Sequence, residues 1–487
     1  MPTVYRDFDI DAFGYEESTG AERFLVRVES QAGEQSIGDA MPVTISADLR
    51  RSVRKLKNRR LSFGEMIGLG QQLADLLLPS GARRMLDLSR AMLGPKERLR
   101  IRLKLDSYAL SDLPWEYLYL PAPDTRPEER GPEGFLVLDR RVSLVRYEMM
   151  GQPAVSLDPV GAGPLRMVAL LANPRDPDYP ALNLGTERQN IEKAMSKVPG
   201  IAVEFFPGGR VIDLEDALTT DAHILHYAGH GDFMGEMGAR FGTQEGRGAL
   251  VLVGEDGGAH LFPVEKLALT LVGRSIRLAV FGACKTAQRD QYNAWTGVAP
   301  ALTRAGIPAV VAMQYAIHDT SATAFSRRFY QALAAGETVD AAVTDGRQSI
   351  INHSDLDERD WGVPVLYLRT SGGVLFPRPE PEAEGRRAGQ QGVSTGPPQE
   401  TKRTSAVDKR ALRAVMLSAF DTDELEALCW DTQGLLQDEG IDLAVSLEMV
   451  GGGSKMAIVM NLIEYFDRRG HLEHLVQAVR NARPGMI

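Results

Sequence analysis

Six short strand-like runs recur between residues 165 and 370, and stretches with helical apolar spacing separate them. The runs occupy residues 167–172 (MVALLA), 201–206, 223–228, 278–281, 308–313 and 363–368. An uninterrupted apolar run such as MVALLA fits a strand covered on both faces. Helices are expected over 186–197, where Ile191, Ala194, Met195 and Val198 share a face, and over 214–218, 296–305, 321–334 and 339–350. Residues 249–262 read as a hairpin turning through GEDGG. This alternation predicts an α/β fold, a mainly parallel sheet with helices on both faces. In such sheets functional groups gather at the carboxyl ends of the strands.

Two of these strands end in reactive side chains. HILHYAGHG (223–231) runs into Gly229, His230 and Gly231, and LAVFGACKTA (278–287) breaks at Gly282 and presents Cys284. A thiol is mostly protonated at neutral pH, and an adjacent imidazole either takes its proton or stabilises the thiolate as imidazolium. A catalytic pair of Cys284 as nucleophile and His230 as base is therefore expected. Glycine lets backbone approach a substrate, so the N–H groups of Gly231 and Cys284 are the expected oxyanion hole. Taken singly, a cysteine after a strand is more simply a small core residue, and a His-Gly turn is equally weak. The two together, 54 residues apart and each at a strand end, favour the catalytic reading. His226 competes for the base, but alternation puts it inside its strand with Ile224 and Ala228, as a hydrogen-bonded core histidine. A hydrolase nucleophile elbow fits less well: Thr286 stands where the last glycine belongs, and the histidine precedes the cysteine.

Composition narrows the classes. Cys284 and Cys429 are the only cysteines of 487 residues, so a disulfide framework is excluded and a reducing cytoplasm fits. No zinc-type ligand spacing appears, so neither a metal nor another cofactor is expected. The net charge of −10 gives no support to nucleic acid as a partner. No apolar run reaches the roughly 20 residues of a membrane span, and the acidic start (Asp7, Asp9, Asp11) is unlike a signal peptide.

The flanks differ in texture. Residues 1–160 mix short strands and helices. In 98–106 Leu99, Ile101, Leu103 and Leu105 alternate with Arg100, Arg102 and Lys104, a half-exposed strand, and LPWEYLYLP (113–121) and 135–147 continue the β-rich reading. The basic run 48–60 reads as a solvated face, and 61–79 as a helix ended by Pro79 and Gly81. With no catalytic residue types, 1–160 is expected to be an accessory region beside a catalytic domain at 161–377. Residues 378–407 are Pro-, Gly- and Glu-rich with almost no large apolar side chain, a linker. Residues 408–487 are helical throughout, a small all-α bundle with no evident pocket.

Residues of about 100–370 resemble the CHAT peptidases, a caspase-like family related to separases. The resemblance rests on LPWE (113–116), FLVLD (135–139), 168–174, HILHYAGHGDF, LAVFGACKTA, AGIPAVVAMQ and WGVPVLYLR. Caspases place the histidine roughly 50 residues before the cysteine. The resemblance implies a caspase-type fold with His230 as base and Cys284 as nucleophile. Lys285 follows the cysteine where caspases often carry Arg, Gln or Gly, so substrate contacts do not transfer. The bundle resembles the death-like effector-associated domains of bacterial conflict systems, through LSAF (417–420), Glu424, Leu425, Leu428, 462–466, Gly470, Leu472, Leu475 and Arg483-Pro484. Such modules pair with a matching module on another protein. The expected function is thus a cytoplasmic cysteine endopeptidase acting on a protein or peptide in a defence or cell-death pathway, recruited through its tail. The alternative is a catalytically silent scaffold. A pocket for a basic side chain before the cut is expected to use Asp319, a short loop beyond strand 308–313; capping of the following helix is the simpler role for it.

Overall fold

Parallel strands place neighbouring chains in step, so charges spaced two apart on one strand meet charges spaced two apart on the next. This pairing decides where the N-terminal segment goes. In the computed structural model β1 (Val4–Ser18) lies parallel to the strand Glu97–Leu105, with Asp7 opposite Arg100, Asp9 opposite Arg102 and Asp11 opposite Lys104. The structure describes the chain apart from residues 1–3, 19–20, 31–36, 123–124, 148–156, 162, 197, 199, 235–246, 284–294, 371, 378–408, 439–440, 442–445, 447–454, 470 and 484–487. It forms two compact units, Met1–Ala383 and Glu384–Ile487.

In the first unit β1 is followed by β2 (Ala21–Ser30), β3 (Ile37–Ile45), α1 (Ala47–Lys57), α2 (Phe63–Leu77), α3 (Ser80–Ala91), β4 (Glu97–Leu105), α4 (Tyr108–Ser111) and β5 (Val142–Arg146). Next come β6 (Leu165–Leu171), α5 (Leu184–Met195), β7 (Ile201–Phe206), α6 (Val211–Ala217) and β8 (Ile224–Met234). The hairpin β9 (Arg247–Val253) and β10 (Ala259–Pro263) leads to α7 (Val264–Leu271) and β11 (Leu278–Ala283). Then α8 (Trp295–Arg304), β12 (Ala309–Met313), α9 (Asp319–Ala334), α10 (Val339–Ile351) and β13 (Pro364–Leu368) complete the unit. The described strands form one mixed sheet in the order β10-β9-β8-β11-β12-β13-β5-β4-β1-β2-β3, with β6 on β8 and β7 on β6. Its centre is parallel (β7-β6-β8-β11-β12, and β13-β5-β4-β1), while β12 and β13 run antiparallel. The sheet is continuous across residue 160, because β5 pairs with β4 on one side and β13 on the other. Helices α5, α9 and α10 pack on one another, as do α7 and α8. The architecture is the α/β class expected from the alternating runs.

Three expectations give way. LPWEYLYLP is not a strand: Trp115–Tyr117 is a 3-10 turn, and so is Leu136–Leu138. Trp115, Tyr117, Tyr119 and Phe135 are all buried, so each side chain points into core and no solvent face remains to alternate with. The helix read over 61–79 does stop before Pro79, at Leu77; what gives way is Gly81 as part of that stop, since it lies inside α3, whose N-cap is Pro79. Most informative is β4, read as half-exposed. Arg100 is 1% exposed, with Nε and Nη2 at 2.8 and 3.0 Å from the Asp340 carboxylate and the Tyr5 ring 4.1 Å from its guanidinium carbon. Ser143 donates to the same carboxylate at 2.9 Å. A second interior pair joins Arg146 to Glu116 at 2.8 Å.

The second unit holds α11 (Lys409–Ala419), α12 (Thr422–Asp438), α13 (Lys455–Arg468) and α14 (Leu472–Ala482). Asp421 and Glu424 cap α12 reciprocally, each backbone N–H donating to the other's carboxylate at 2.9 Å. Leu412, Met416, Phe420, Leu428, Val459, Leu462, Phe466, Leu475 and Val479 are buried together, the apolar face that the helical spacing predicts. No described helix is long and apolar enough to cross a membrane.

Removing one member of a buried ion pair strands the other charge, a loss of about 3–5 kcal/mol. Asp340→Ala is therefore expected to lower the unfolding free energy of the first unit by that amount, read from urea midpoints. Glu192→Ala, which breaks the solvent-exposed pair with Arg188, should barely move it. A parental midpoint for Asp340→Ala would contradict this role for the pair.

Candidate active site

β8 changes partners halfway along. Its first half lies between β6 and β11, with Leu171 opposite Ala228 and Ala283 opposite Gly229. Its second half pairs antiparallel with β9, His230 opposite Val251 and Gly231 opposite Leu250. His230 is the first residue of β8 beyond this switch point. Gly229 sits at the change: a Cβ there would overlap the Tyr227 hydroxyl and approach the Ala172 carbonyl. That hydroxyl lies 2.8 Å from the His230 carbonyl and 2.9 Å from that of Val251, pinning the backbone of the histidine.

The His230 side chain is 1% exposed, and its Nε2 donates to the Pro180 carbonyl at 2.8 Å. With the proton on Nε2, Nδ1 is left with its lone pair, the form a general base needs. Pro180 belongs to the loop between β6 and α5. Asn173 closes that loop on Leu182 through two hydrogen bonds of 2.9 Å. Tyr179 stacks beside the imidazole, ring centroids 5.5 Å apart, and donates its hydroxyl to Asp232. Burial lowers the His230 pKa; the Pro180 contact and the Asp232 charge oppose it without reversing the direction.

His226 is buried with Nδ1 3.0 Å from the Tyr330 hydroxyl and Nε2 3.9 Å from Glu187, an interior position on the strand as its alternation suggests. Gly231 is half-buried on β8. Cys284 lies outside the described residues; β11 is described up to Ala283, its neighbour in sequence. Asp319 opens α9 with its side chain exposed, and α9 carries no side-chain cap. Cys429 is buried in the bundle, where burial pushes its thiol up to about 12. Sequence reasoning missed Pro180 and Tyr179. A backbone carbonyl leaves no mark on residue type, and the segment DPDYP reads as an ordinary turn.

Among the described residues, His318, Glu358 and Asp360 bring ligand-type atoms within 4.8 Å of one another. Arg59, held at φ 55°, puts its guanidinium 3.1 Å from Glu358 and 2.8 Å from Asp360. That cation already fills the role a metal would take, so the cluster is an ion-pair network joining the α1–α2 turn to the segment before β13.

The α/β sheet thus delivers a buried, carbonyl-anchored imidazole at the switch point of β8. Residues 68–381 match the CHAT domain model, and residues 412–484 match effector-associated domain 7. The first match spans well over half the chain, which therefore belongs to the CHAT family and carries an effector-associated domain behind it. No curated protein sequence matches the chain. Among solved structures, the Arg-specific cysteine proteinase gingipain R (RgpB) aligns over 67% of this chain and 76% of its own, at 11% identity and TM-score 0.36. The complex of Porphyromonas gingivalis RgpB pro- and mature domains gives 67% and 78%, 12% identity and TM-score 0.36. Saccharomyces cerevisiae separase, in complex with securin, aligns over 60% of this chain at 13% identity and TM-score 0.33, and the chain spans only 17% of that protein.

The direction of the His230 shift sets a pH dependence. A free imidazole takes up its proton near pH 6.5, roughly, and the buried one does so lower. The unfolded chain thus binds this proton first. The His230 contribution to stability is full above the ordinary value and is lost as pH falls through it toward the folded value. His230→Gln should flatten that part of the stability profile, measured as urea midpoints from neutral to mildly acidic pH. A variant profile parallel to the parental one would refute it.

Proposed function

We propose that the first unit is a cysteine endopeptidase in which Cys284 is the nucleophile and His230 the general base. The observation that carries this reading is the Nε2 hydrogen bond of His230 to the Pro180 carbonyl at the switch point of β8. The parallel register supports it. Ala283 stands opposite Gly229, and in sequence the next residue after each is the reactive one, Cys284 and His230. In the proposed reaction Nδ1 of His230 takes the thiol proton and the thiolate attacks the scissile carbonyl. The oxyanion is met by the N–H groups of Gly231 and Cys284, and the imidazolium then returns the proton to the leaving amine. The resulting thioester is hydrolysed by water activated by the same histidine. Asp319, exposed at the start of α9, is the candidate contact for a basic side chain before the cut.

The bundle is assigned to recruitment of a partner bearing a matching effector-associated domain, in a bacterial defence or cell-death pathway, with residues 161–377 as the catalytic domain and 378–407 as the tether. Two features support a binding role: its one cysteine is buried and protonated, and Trp430 on α12 stands 71% exposed between Glu426 and Asp431. An exposed tryptophan is a residue type enriched at binding hot spots.

The test is a peptide library incubated with purified protein. Cys284→Ala and His230→Ala should each lose nearly all cleavage while remaining folded, and Cys429→Ala should lose none. A chain ending at residue 377 should cleave short peptides like the full chain yet fail to associate with the partner. Full cleavage by Cys284→Ala would eliminate the nucleophile assignment. Binding of the partner by a chain that cleaves nothing under any condition would favour the silent scaffold.

A further inference from the structure

The His230 imidazole is anchored by a carbonyl that belongs to a loop, not to the sheet. A loop carbonyl is a fixed acceptor only if the loop itself is fixed. The Asn173–Leu182 closure holds its two ends, but Pro180 within it is exposed. The side chain next to it, Tyr179, crosses to the strand carrying the histidine, where its hydroxyl donates to the carboxylate of Asp232. Its ring lies against the imidazole on the way. Tyr179 and Pro180 are adjacent in sequence, and His230 and Asp232 stand two residues apart on β8. The contact therefore closes a small cycle: His230 to Pro180, Pro180 to Tyr179, Tyr179 to Asp232, and Asp232 back along β8 to His230.

We infer that the Tyr179–Asp232 contact is a positioning device for His230, tying the loop to β8 so that the Pro180 carbonyl stays on Nε2 and the ring keeps its orientation. The inference rests on the reading of His230 as the general base, and it adds two residues that act through the histidine without touching the reacting atoms. A hydrogen bond to an ionised acceptor is about twice as strong as a neutral one, so the pairing of a phenol with a carboxylate suits a tie. The phenol also keeps its proton: burial first, then the hydrogen bond to Asp232 and the charges of Asp232, Asp176 and Asp178, raise its pKa. The groups facing the imidazole are Asp232 on its own strand, Tyr179 and the Pro180 carbonyl on the loop, and the apolar Val251 opposite on β9, while Asp176 and Asp178 act on the Tyr179 phenol. Asp232 has two separable effects there. As an acceptor it fixes the loop; as a charge it favours the imidazolium.

Full-length protein with nitrogen-15-labelled histidine tests the tie directly. The Nε2 proton of His230, assigned by its loss in His230→Gln, should be slow to exchange in the parent. Tyr179→Phe, Asp232→Ala and the double variant should each expose it to fast exchange, and the double should be no worse than either single, as expected of two halves of one contact. Asp232→Asn still accepts the phenol's hydrogen bond, so it should keep the proton protected and move only the His230 titration to lower pH. In parallel, iodoacetamide alkylation of Cys284, read on its own peptide by mass spectrometry, should slow about tenfold at neutral pH in Tyr179→Phe and Asp232→Ala, the weight of one charged hydrogen bond. An Nε2 proton as protected in Tyr179→Phe and Asp232→Ala as in the parent overturns the inference, whatever Cys284 does. Unfolding of both variants overturns it too, because the contact would then be structural. Alkylation unchanged in His230→Gln instead refutes the pairing of His230 with Cys284, and in that case the proton exchange still decides whether the tie exists.

Discussion

The hydrogen bond between His230 Nε2 and the Pro180 carbonyl depends on two independent pieces of chain arriving at one point. β8 supplies the ring and the β6–α5 loop supplies the acceptor. Both follow from the sheet. Parallel pairing of β6 and β8 ends at Leu171 and Ala228. From there the β6 chain becomes the loop, while β8 continues to Met234 with β9 as its antiparallel neighbour. Gly229 is the residue that lets the Tyr227 hydroxyl fold back across this change of neighbour.

Burial of the imidazole has a cost that its partners only partly offset. A base kept neutral by desolvation holds its lone pair ready at neutral pH, whereas an imidazole paired directly with a carboxylate would tend to be protonated. Asp232 is set two residues along the strand, near enough to favour the imidazolium and engaged meanwhile with Tyr179. The arrangement places His230 between the limits of a fully exposed and a fully paired histidine.

Much of this was legible in the residues. The apolar runs located the central strands, because a strand buried on both faces has to be apolar throughout, but the strand read as stopping at Ala228 runs on to Met234: its glycines mark a change of neighbour, where β9 takes up the pairing, and not the end of the strand. The misread parts share one cause. Arg100, Arg102 and Lys104 alternate with leucines as the solvent face of a strand would, yet Arg100 is buried because Asp340, more than two hundred residues away, returns to meet it. LPWEYLYLP has the composition of a strand but holds a 3-10 turn, with Gly362 against the Tyr117 ring, Gly134 against the Tyr119 ring and Gly70 against the backbone between them, so the rings keep no outer face. In each case the local pattern was sound and a long-range partner decided burial. The Pro180 carbonyl was beyond reach for a different reason: a backbone acceptor has no residue identity to read.

The two cysteines of the chain show how environment, rather than residue type, allots chemistry. Cys429 packs among Leu425, Leu428 and Leu436 in the bundle, and burial raises its thiol far above neutral pH. There it packs as a small apolar side chain, and burial keeps its proton on the sulfur. Cys284 follows a strand whose parallel neighbour carries a histidine with Nδ1 unprotonated and Nε2 held. The sheet that carries that histidine occupies the CHAT match, and the helices that bury Cys429 occupy the effector-associated match. The buried thiol of Cys429 and the anchored imidazole of His230 thus fall in separate units, each with the environment its own packing sets.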